Sequence, residues 1–500
     1  MRLVQGFDND MARSSLSVLS SWSLALALAG IIVGTANAEP TYGTALERAA
    51  GTLVTQISVG DFGKAHETFA PEVKGKLSQS ALAATWASVT SQLGHYRRQL
   101  RTSTVVSGPY TKVRVSCEFA RMKMDVLVVY DKRRQVVGFF IKPPIPKAKG
   151  RGRAQTPVPP FPYESTEVQY AALLGGGVFA GTLTRPKGTE RVPAVLLITG
   201  SGLQDRDSTI FGHKPFAVLA DHFTRAGFAV LRVDDRGTGK TTVSPKGSTI
   251  EKHAQDVAAG LAYLRAYPGV DKNRVGLVGH SEGALLAAVV ASRSRDVAFI
   301  VMLGGAGVSG AEINPLQVEA ALRAQAAVPE ARIQTIVAMQ RKLMVSLAGG
   351  ASDAELLTQL RALQRESLKS VPDAMRSRLT KGMLEGQITS QHEAIQSSWF
   401  RSFVATEPGP ILARVRCPVL ALIGEKDTQV PPAVNLKALR AAFAKGGNKR
   451  TDVRELPGLN HLFQAARTGA VSEYDTIDET FNTVALNAVT TWLLAVSKTP

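Results

Sequence analysis

Hydrophobic spacing changes character along the chain. Residues 40–100 place Ala45, Leu46, Ala49, Leu53 and Ile57 at helical intervals and contain few runs of β-branched or aromatic residues, which predicts helices. From Tyr110 the spacing shortens. Lys112-Val-Arg-Val-Ser-Cys-Glu-Phe119 and Met124-Asp-Val-Leu-Val-Val-Tyr130 read as strands, and Val136-Val-Gly-Phe-Phe-Ile141 as a third after a polar turn at 131–135. Helices followed by an antiparallel meander predict a small α+β domain over 39–141. Residues 142–163 then hold seven prolines and five basic residues before the first acid that follows, Glu164. No core can be built from that composition, so an extended linker is expected.

Beyond the linker, apolar β-rich runs at 192–199, 229–234, 275–279, 299–303, 419–423 and 451–456 alternate with helical stretches. Near-continuous hydrophobic strands separated by helices predict a mostly parallel sheet covered on both faces, an α/β class domain over 164–500. Residues 167–186, interrupted by Gly175-Gly176-Gly177, predict an edge hairpin. The interval 309–415 breaks the rhythm, being helical almost throughout. So long an insertion between two strands predicts a helical cap with nearly balanced charge.

Length agrees with two domains, since 500 residues exceed a single ordinary core. The first 38 residues resemble an export signal: Arg13 precedes an apolar segment that ends in Ala36-Asn37-Ala38. Ser17, Ser20, Ser21 and Ser23 dilute that segment, which favours a cleaved signal over a membrane anchor and predicts a periplasmic or secreted protein. Cys117 and Cys417 fall in different predicted domains, so no disulfide framework is expected. The formal net charge is +18, and residues 39–165 carry 19 Lys and Arg against 9 Asp and Glu. Such a field would favour weak association with anionic envelope surfaces, although a solvated basic face is the simpler account. The chain shows neither the aromatic interleaving nor the zinc-ligand spacing of a nucleic-acid binder.

Candidate chemistry centres on Gly279-His280-Ser281-Glu282-Gly283, which lies between an apolar strand and a small-residue helix. A serine on a sharp strand-to-helix turn needs small neighbours, and Gly279 and Gly283 supply them. The turn would project the Ser281 hydroxyl from the carboxyl end of the sheet and aim the Glu282 amide at the same space. A serine nucleophile needs a base and the base an orienting carboxylate. Asp427 follows the strand at 419–423, and His461 follows the one at 451–456. Glu425 is a rival acid. A second oxyanion amide is expected from Thr199-Gly200-Ser201-Gly202, with Ser201 as first choice and Gly202 close behind.

Other features admit simpler readings. His280 is assigned to packing, and His66, His95, His213, His222, His253 and His392 receive no role. Asp205-Arg206-Asp207 reads as an ion-pair network bracing a loop rather than a metal cluster. Asp234-Asp-Arg-Gly-Thr-Gly-Lys-Thr241 fails as a phosphate loop, because Asp234 stands where the first glycine is required.

Together, Thr199-Gly-Ser-Gly-Leu-Gln-Asp-Arg-Asp207, Leu231-Arg-Val-Asp-Asp-Arg-Gly-Thr-Gly-Lys240, Gly279-His-Ser-Glu-Gly283, Gly424-Glu-Lys-Asp-Thr-Gln-Val-Pro431 and Gly458-Leu-Asn-His-Leu-Phe-Gln464 resemble the secreted bacterial α/β-hydrolase carboxylesterases of the EstD type, a dienelactone-hydrolase-like group. The resemblance implies an α/β-hydrolase fold, a triad of Ser281, Asp427 and His461, and a helical cap after the sixth strand. Thr199 and Ala284 depart from residues frequent in α/β-hydrolases, histidine and glycine respectively, and leave the oxyanion donor open. Residues 40–141 are similar to an uncharacterised nuclear-transport-factor-like α+β domain that often precedes such esterases. The expected activity is hydrolysis of short-chain acyl esters through an acyl-enzyme, with no metal or organic cofactor needed. Two alternatives stay open: an exported serine peptidase of the same fold, and an inert hydrolase scaffold that binds a partner.

Overall fold

The computed structural model describes residues 45–142 and 153–498, except 76, 108–109, 121, 175, 189, 324–327, 372–375 and 377–380. The expected leader at 1–38 lies outside the described residues. Among those described, no helix is long and apolar enough to cross a membrane.

In the N-terminal region, strands β1 (Tyr96–Ser107), β2 (Tyr110–Phe119), β3 (Lys123–Tyr130) and β4 (Val136–Lys142) form an antiparallel sheet in sequential order. Val113, Val115, Cys117 and Phe119 of β2 and Val126, Val128 and Tyr130 of β3 are buried in a core shared with Leu53, Val54 and Ile57 of the helix Ala45–Ser58. β1 was not expected. Two register shifts, between Tyr96 and Arg98 and between Gln99 and Arg101, interrupt its alternation. A glutamine also takes one of its buried positions: Gln99 donates to Gly51 O at 2.6 Å and to Thr55 Oγ1 at 2.8 Å. Both features erase the period-2 signal of a strand.

The described end of the linker segment makes specific contacts. Arg153 donates to the carbonyls of Phe211, Asp475 and Ile477, while Gln155 donates to Phe481 O and accepts from the amides of Thr480 and Phe481. Its final residues are therefore fastened to the larger domain by side chains that satisfy loop backbone groups.

The larger sheet has eight strands in the order β12-β11-β10-β9-β7-β8-β6-β5. They are β5 (Glu164–Ala171), β6 (Val178–Arg185), β7 (Val192–Ile198), β8 (Ala229–Val233), β9 (Val270–His280), β10 (Ile300–Leu303), β11 (Val419–Gly424) and β12 (Thr451–Leu456). β5 and β6 form a hairpin, β6 runs antiparallel to β8, and all other pairings are parallel. This order, with helices on both faces, is the α/β-hydrolase fold.

Strand alternation explains both layers. Ala194, Leu196 and Ile198 of β7, Leu277 of β9 and Ala421 of β11 face one core, with residues of the helices Ile250–Ala266, Glu282–Ala291 and Pro432–Lys445. Val195, Leu197, Val278, Leu420 and Leu422 face the other, with Leu219 and Phe223 of Pro215–Arg225 and Val489 of Thr483–Val496. β7 lies between β8 and β9, so the chain reverses its direction of sheet growth there. The loops after β7 and β9 leave the same edge, the usual place for a ligand site in an open parallel sheet.

The insertion between β10 and β11 is helical, with Gly310–Arg323, Glu330–Ala348, Asp353–Leu368, Lys381–Gln396 and Ser398–Ala405. It does not group as one piece with the eight-stranded sheet. The described residues of 153–364 and 390–498 form one compact unit, whereas those of 365–389 group with the N-terminal strands and helices.

Gly276 in β9 sets a packing limit, because a Cβ there would lie 2.0 Å from Cε2 of the Phe299 ring. Gly276→Ala is expected to cost roughly 1–3 kcal/mol through overpacking. A lower urea midpoint for the hydrolase domain, partly restored by adding Phe299→Leu, is the measurement that checks it.

Candidate active site

β9 ends at His280 and the next helix starts at Glu282, so Ser281 alone makes the turn. Its φ of 57° and ψ of −118° are strained for a residue with a side chain. Close backbone approach makes the turn possible. A Cβ on Gly279 would lie 2.1 Å from Gly283 O, and one on Gly283 would lie 2.3 Å from Ile198 O. The Ser281 amide donates to Leu303 O at 2.8 Å, which ties the turn to the end of β10. The hydroxyl does not cap the helix, and among the described residues no hydrogen bond engages it.

His461 is brought to the same rim by a loop folded on Asn460, whose Oδ1 accepts from the amides of Leu462 (3.0 Å) and Gln464 (2.9 Å). Nδ1 of His461 donates to Asp427 Oδ2 at 2.7 Å, and both residues are buried. The other oxygen of Asp427 accepts from the amides of Gln429 (2.8 Å) and Val430 (2.7 Å), which fixes the carboxylate's orientation. Glu425 instead accepts from the Gly458 amide at 2.7 Å. Gly304 connects this pair to the serine. It follows Leu303, and a Cβ there would lie 3.1 Å from both Cε1 and Nδ1 of His461 and 3.5 Å from Asp427 Oδ2. The imidazole thus lies over the residue next to the one that holds the Ser281 amide.

His280 does more than fill space. Its Nε2–H donates to His461 O at 2.9 Å, and the two rings are centred 4.7 Å apart. Burial, and secondarily the neighbouring His461, push the His280 imidazole down to about 3. A neutral ring can lie beside a second imidazole without charge repulsion.

The loop after β7 runs past the serine, since a Cβ on Gly200 would lie 3.2 Å from Ser281 Cβ. Ser201 is exposed, and Gly202 has a φ of 98°. Asp235 braces this loop by accepting from Thr199 Oγ1 at 2.7 Å and from the Gln204 amide at 2.9 Å. Burial pushes its carboxyl up to about 7 although both hydrogen bonds favour the charged form. At the other end of the space, Glu282 offers a first-turn amide that its own helix cannot satisfy.

A cavity opens beside the loop, lined by residues that include Gly200, Gly202, Leu203, Asp235, His253 and Glu282. His253 Nδ1 lies 3.1 Å from Glu282 Oε1. Sequence reading gave His253 no role and did not connect it to Glu282, 29 residues away. Nor did it separate Asp235 from its neighbour Asp234; the one available signal is that two acids end a buried strand.

The remaining charged candidates are structural. Arg206 pairs in bidentate fashion with Asp234, at 3.0 and 2.7 Å, and also reaches Glu167. Asp207 pairs with Arg232 and Lys214. Gly239 turns so tightly over Asp234 that a Cβ would lie 2.2 Å from Oδ2, and a Cβ on Gly237 would lie 2.9 Å from the Pro245 ring, which accounts for the two glycines after β8. Both cysteines are free, and burial pushes each thiol up to about 12. Among the described residues no group of three or more His, Cys, Asp or Glu is arranged to hold a metal ion.

Comparison with known proteins adds to this geometry. The chain is 25% identical to "Esterase EstD" of Thermotoga maritima over 422 residues, 84% of this chain and 88% of that protein. Among solved structures it is similar to the Pyrococcus furiosus esterase Pf2001, at 13% identity and a TM-score of 0.40, over 67% of this chain and 92% of that one. It is also similar to the hypothetical protein PA2218 of Pseudomonas aeruginosa, at 15% identity and a TM-score of 0.41, over 70% and 98%. Residues 50–139 match a family described as a protein of unknown function, DUF3887. Residues 214–465, half of the chain, match the family described as "Serine aminopeptidase, S33". With that match over the segment that carries Ser281, Asp427 and His461, the chain belongs to the serine aminopeptidase S33 family of α/β-hydrolases.

Proposed function

We propose that the protein is a serine carboxylesterase that cleaves short-chain acyl esters. The observation that carries this reading is the buried His461–Asp427 pair at 2.7 Å, seated over Gly304 beside the strained Ser281 turn. His461 Nε2 takes the Ser281 proton as Oγ attacks the ester carbonyl, closing a contact that commonly tightens only with substrate in place. The amides of Glu282 and of Ser201 or Gly202 hold the oxyanion. The tetrahedral intermediate collapses, His461 protonates the leaving alcohol, and the acyl group stays on Ser281. Water then gives a proton to the same imidazole as it attacks the acyl carbon, and the second tetrahedral intermediate collapses as His461 returns that proton to Ser281 Oγ, releasing the acid. Asp427 keeps His461 in the Nδ1–H tautomer and supports its transient positive charge. Similarity to Esterase EstD along most of both chains supports an ester over an amide. Export remains part of the proposal, resting on the Ala36-Asn37-Ala38 pattern.

The family's description favours a second reading, cleavage of aminoacyl amides by the same groups. Turnover of p-nitrophenyl acetate well above that of aminoacyl-p-nitroanilides is expected, and the reverse order would select the peptidase. Ser281→Ala should lose activity on the order of 10⁴-fold or more and escape labelling by a fluorophosphonate. Wild-type turnover in that variant would end both readings. Asp427→Asn, which disturbs the tautomer while leaving shape intact, should lower kcat by roughly 10⁴-fold with little change in thermal unfolding.

A further inference from the structure

Glu282 carries two functions on one residue. Its amide is an oxyanion donor in the proposed reaction, and its side chain, 3% exposed, joins two separate elements. Oε1 faces His253 Nδ1 at 3.1 Å on the helix Ile250–Ala266, and Oε2 accepts from Trp399 Nε1 at 2.9 Å on the insertion helix Ser398–Ala405. A second contact joins the same two helices, because Ser402 Oγ accepts from the Ile250 amide at 3.0 Å. Trp399 stacks on Phe403 with ring centres 5.7 Å apart. Phe403 in turn covers Gly310, where a Cβ would lie 2.6 Å from its Cδ1. Gly310 opens the first insertion helix, so the indole is built into the root of the cap.

We propose that the Glu282 side chain is a positioning residue that couples the seating of the cap, through Trp399, to the placement of the oxyanion-binding amide beside Ser281. The inference rests on the esterase reading. A buried carboxylate that loses one of its donors is strongly disfavoured, so the contact tends to be either complete or broken. Displacement of a reacting geometry by about 1 Å can cost roughly 100-fold in rate, which makes the amide beside the nucleophile a sensitive place to attach the cap.

The charged groups around the latch give it a pH dependence. His253 faces Glu282, Asp235 and Asp256, and Asp256 is paired with Arg236. Burial disfavours the charged imidazole, yet the hydrogen bond to Glu282 and the charges of Glu282, Asp235 and Asp256 outweigh it and raise the His253 pKa above its ordinary value. A raised value means that the folded protein holds the proton more tightly. The resulting stability is fully present below about pH 6.5, the unfolded value, and fades as pH rises through the folded one.

Kinetics on p-nitrophenyl acetate with wild type, Glu282→Gln, Trp399→Phe and the double variant test the proposal. Glu282→Gln is expected to lower kcat by roughly ten- to a hundredfold with KM changed less than about twofold, short of the ~10²–10³ for an oxyanion donor lost outright. Trp399→Phe should act in the same direction by a smaller factor, and the double variant should be little worse than Glu282→Gln alone. The thermal-stability gap between wild type and His253→Asn should be widest near about pH 6 and narrow towards about pH 9. An unchanged kcat in Glu282→Gln, a loss carried by KM, or two losses that simply multiply would overturn the coupling. If Glu282→Gln does not fold, Trp399→Phe, which removes one N–H and keeps a ring, decides by the same kcat-against-KM split. Failure of wild type to be labelled by a fluorophosphonate at Ser281 would instead remove the esterase reading itself. Labelling of all four proteins with unaltered kcat would remove only the latch.

Discussion

The candidate site depends on how closely backbone can approach backbone at the carboxyl edge of the large sheet. The Ser281 turn exists because Gly279 and Gly283 let strand, turn and helix come nearer than any side chain would permit. The same closeness brings the loop after β7 alongside, since Gly283 abuts the carbonyls of Ile198 and Thr199. Strain at Ser281 is offset by the packing of a helix whose ten residues are all buried. A turn of this kind survives only when its surroundings over-determine it, as both apolar layers do here.

Around the rim, buried carboxyl groups are oriented by backbone amides, and His280 is kept neutral by burial. Asp427 is aimed by two amides so that its second oxygen meets His461. His280 lies beneath that imidazole, holds its carbonyl and is kept uncharged by its surroundings. Asp235 performs an equivalent service for the loop after β7. Such prior orientation is what transition-state stabilisation requires, because dipoles already in place need not reorganise as charge develops.

Much of the α/β-hydrolase fold was legible because strands buried on both faces are written as uninterrupted apolar runs, as in Val419-Leu-Ala-Leu-Ile423. The short motif around Ser281 was legible for a related reason: local backbone geometry demands glycine on either side. β1 was hidden by its irregular register and by a glutamine that faces inward. The docking of Arg153 and Gln155 was hidden because their partners, from Phe211 to Phe481, are backbone groups of loops distant in sequence. The contacts of Glu282 belong to the same class. His253 and Trp399 lie 29 and 117 residues away, and neither carries a local pattern that marks it out.

Among the described residues the eight-stranded sheet ends at β5 and β12, each of which pairs with a strand on one side only. Exposed Glu164, Ser165, Thr166 and Glu167 occupy the first half of β5, and β12 carries Asp452, Arg454 and Glu455. Charged and polar side chains on a terminal strand discourage another polypeptide from extending the sheet, because docking would strip water from them without replacement. A basic chain rich in parallel β-structure thereby guards its unfinished borders against edge-to-edge aggregation with the residues of the borders themselves.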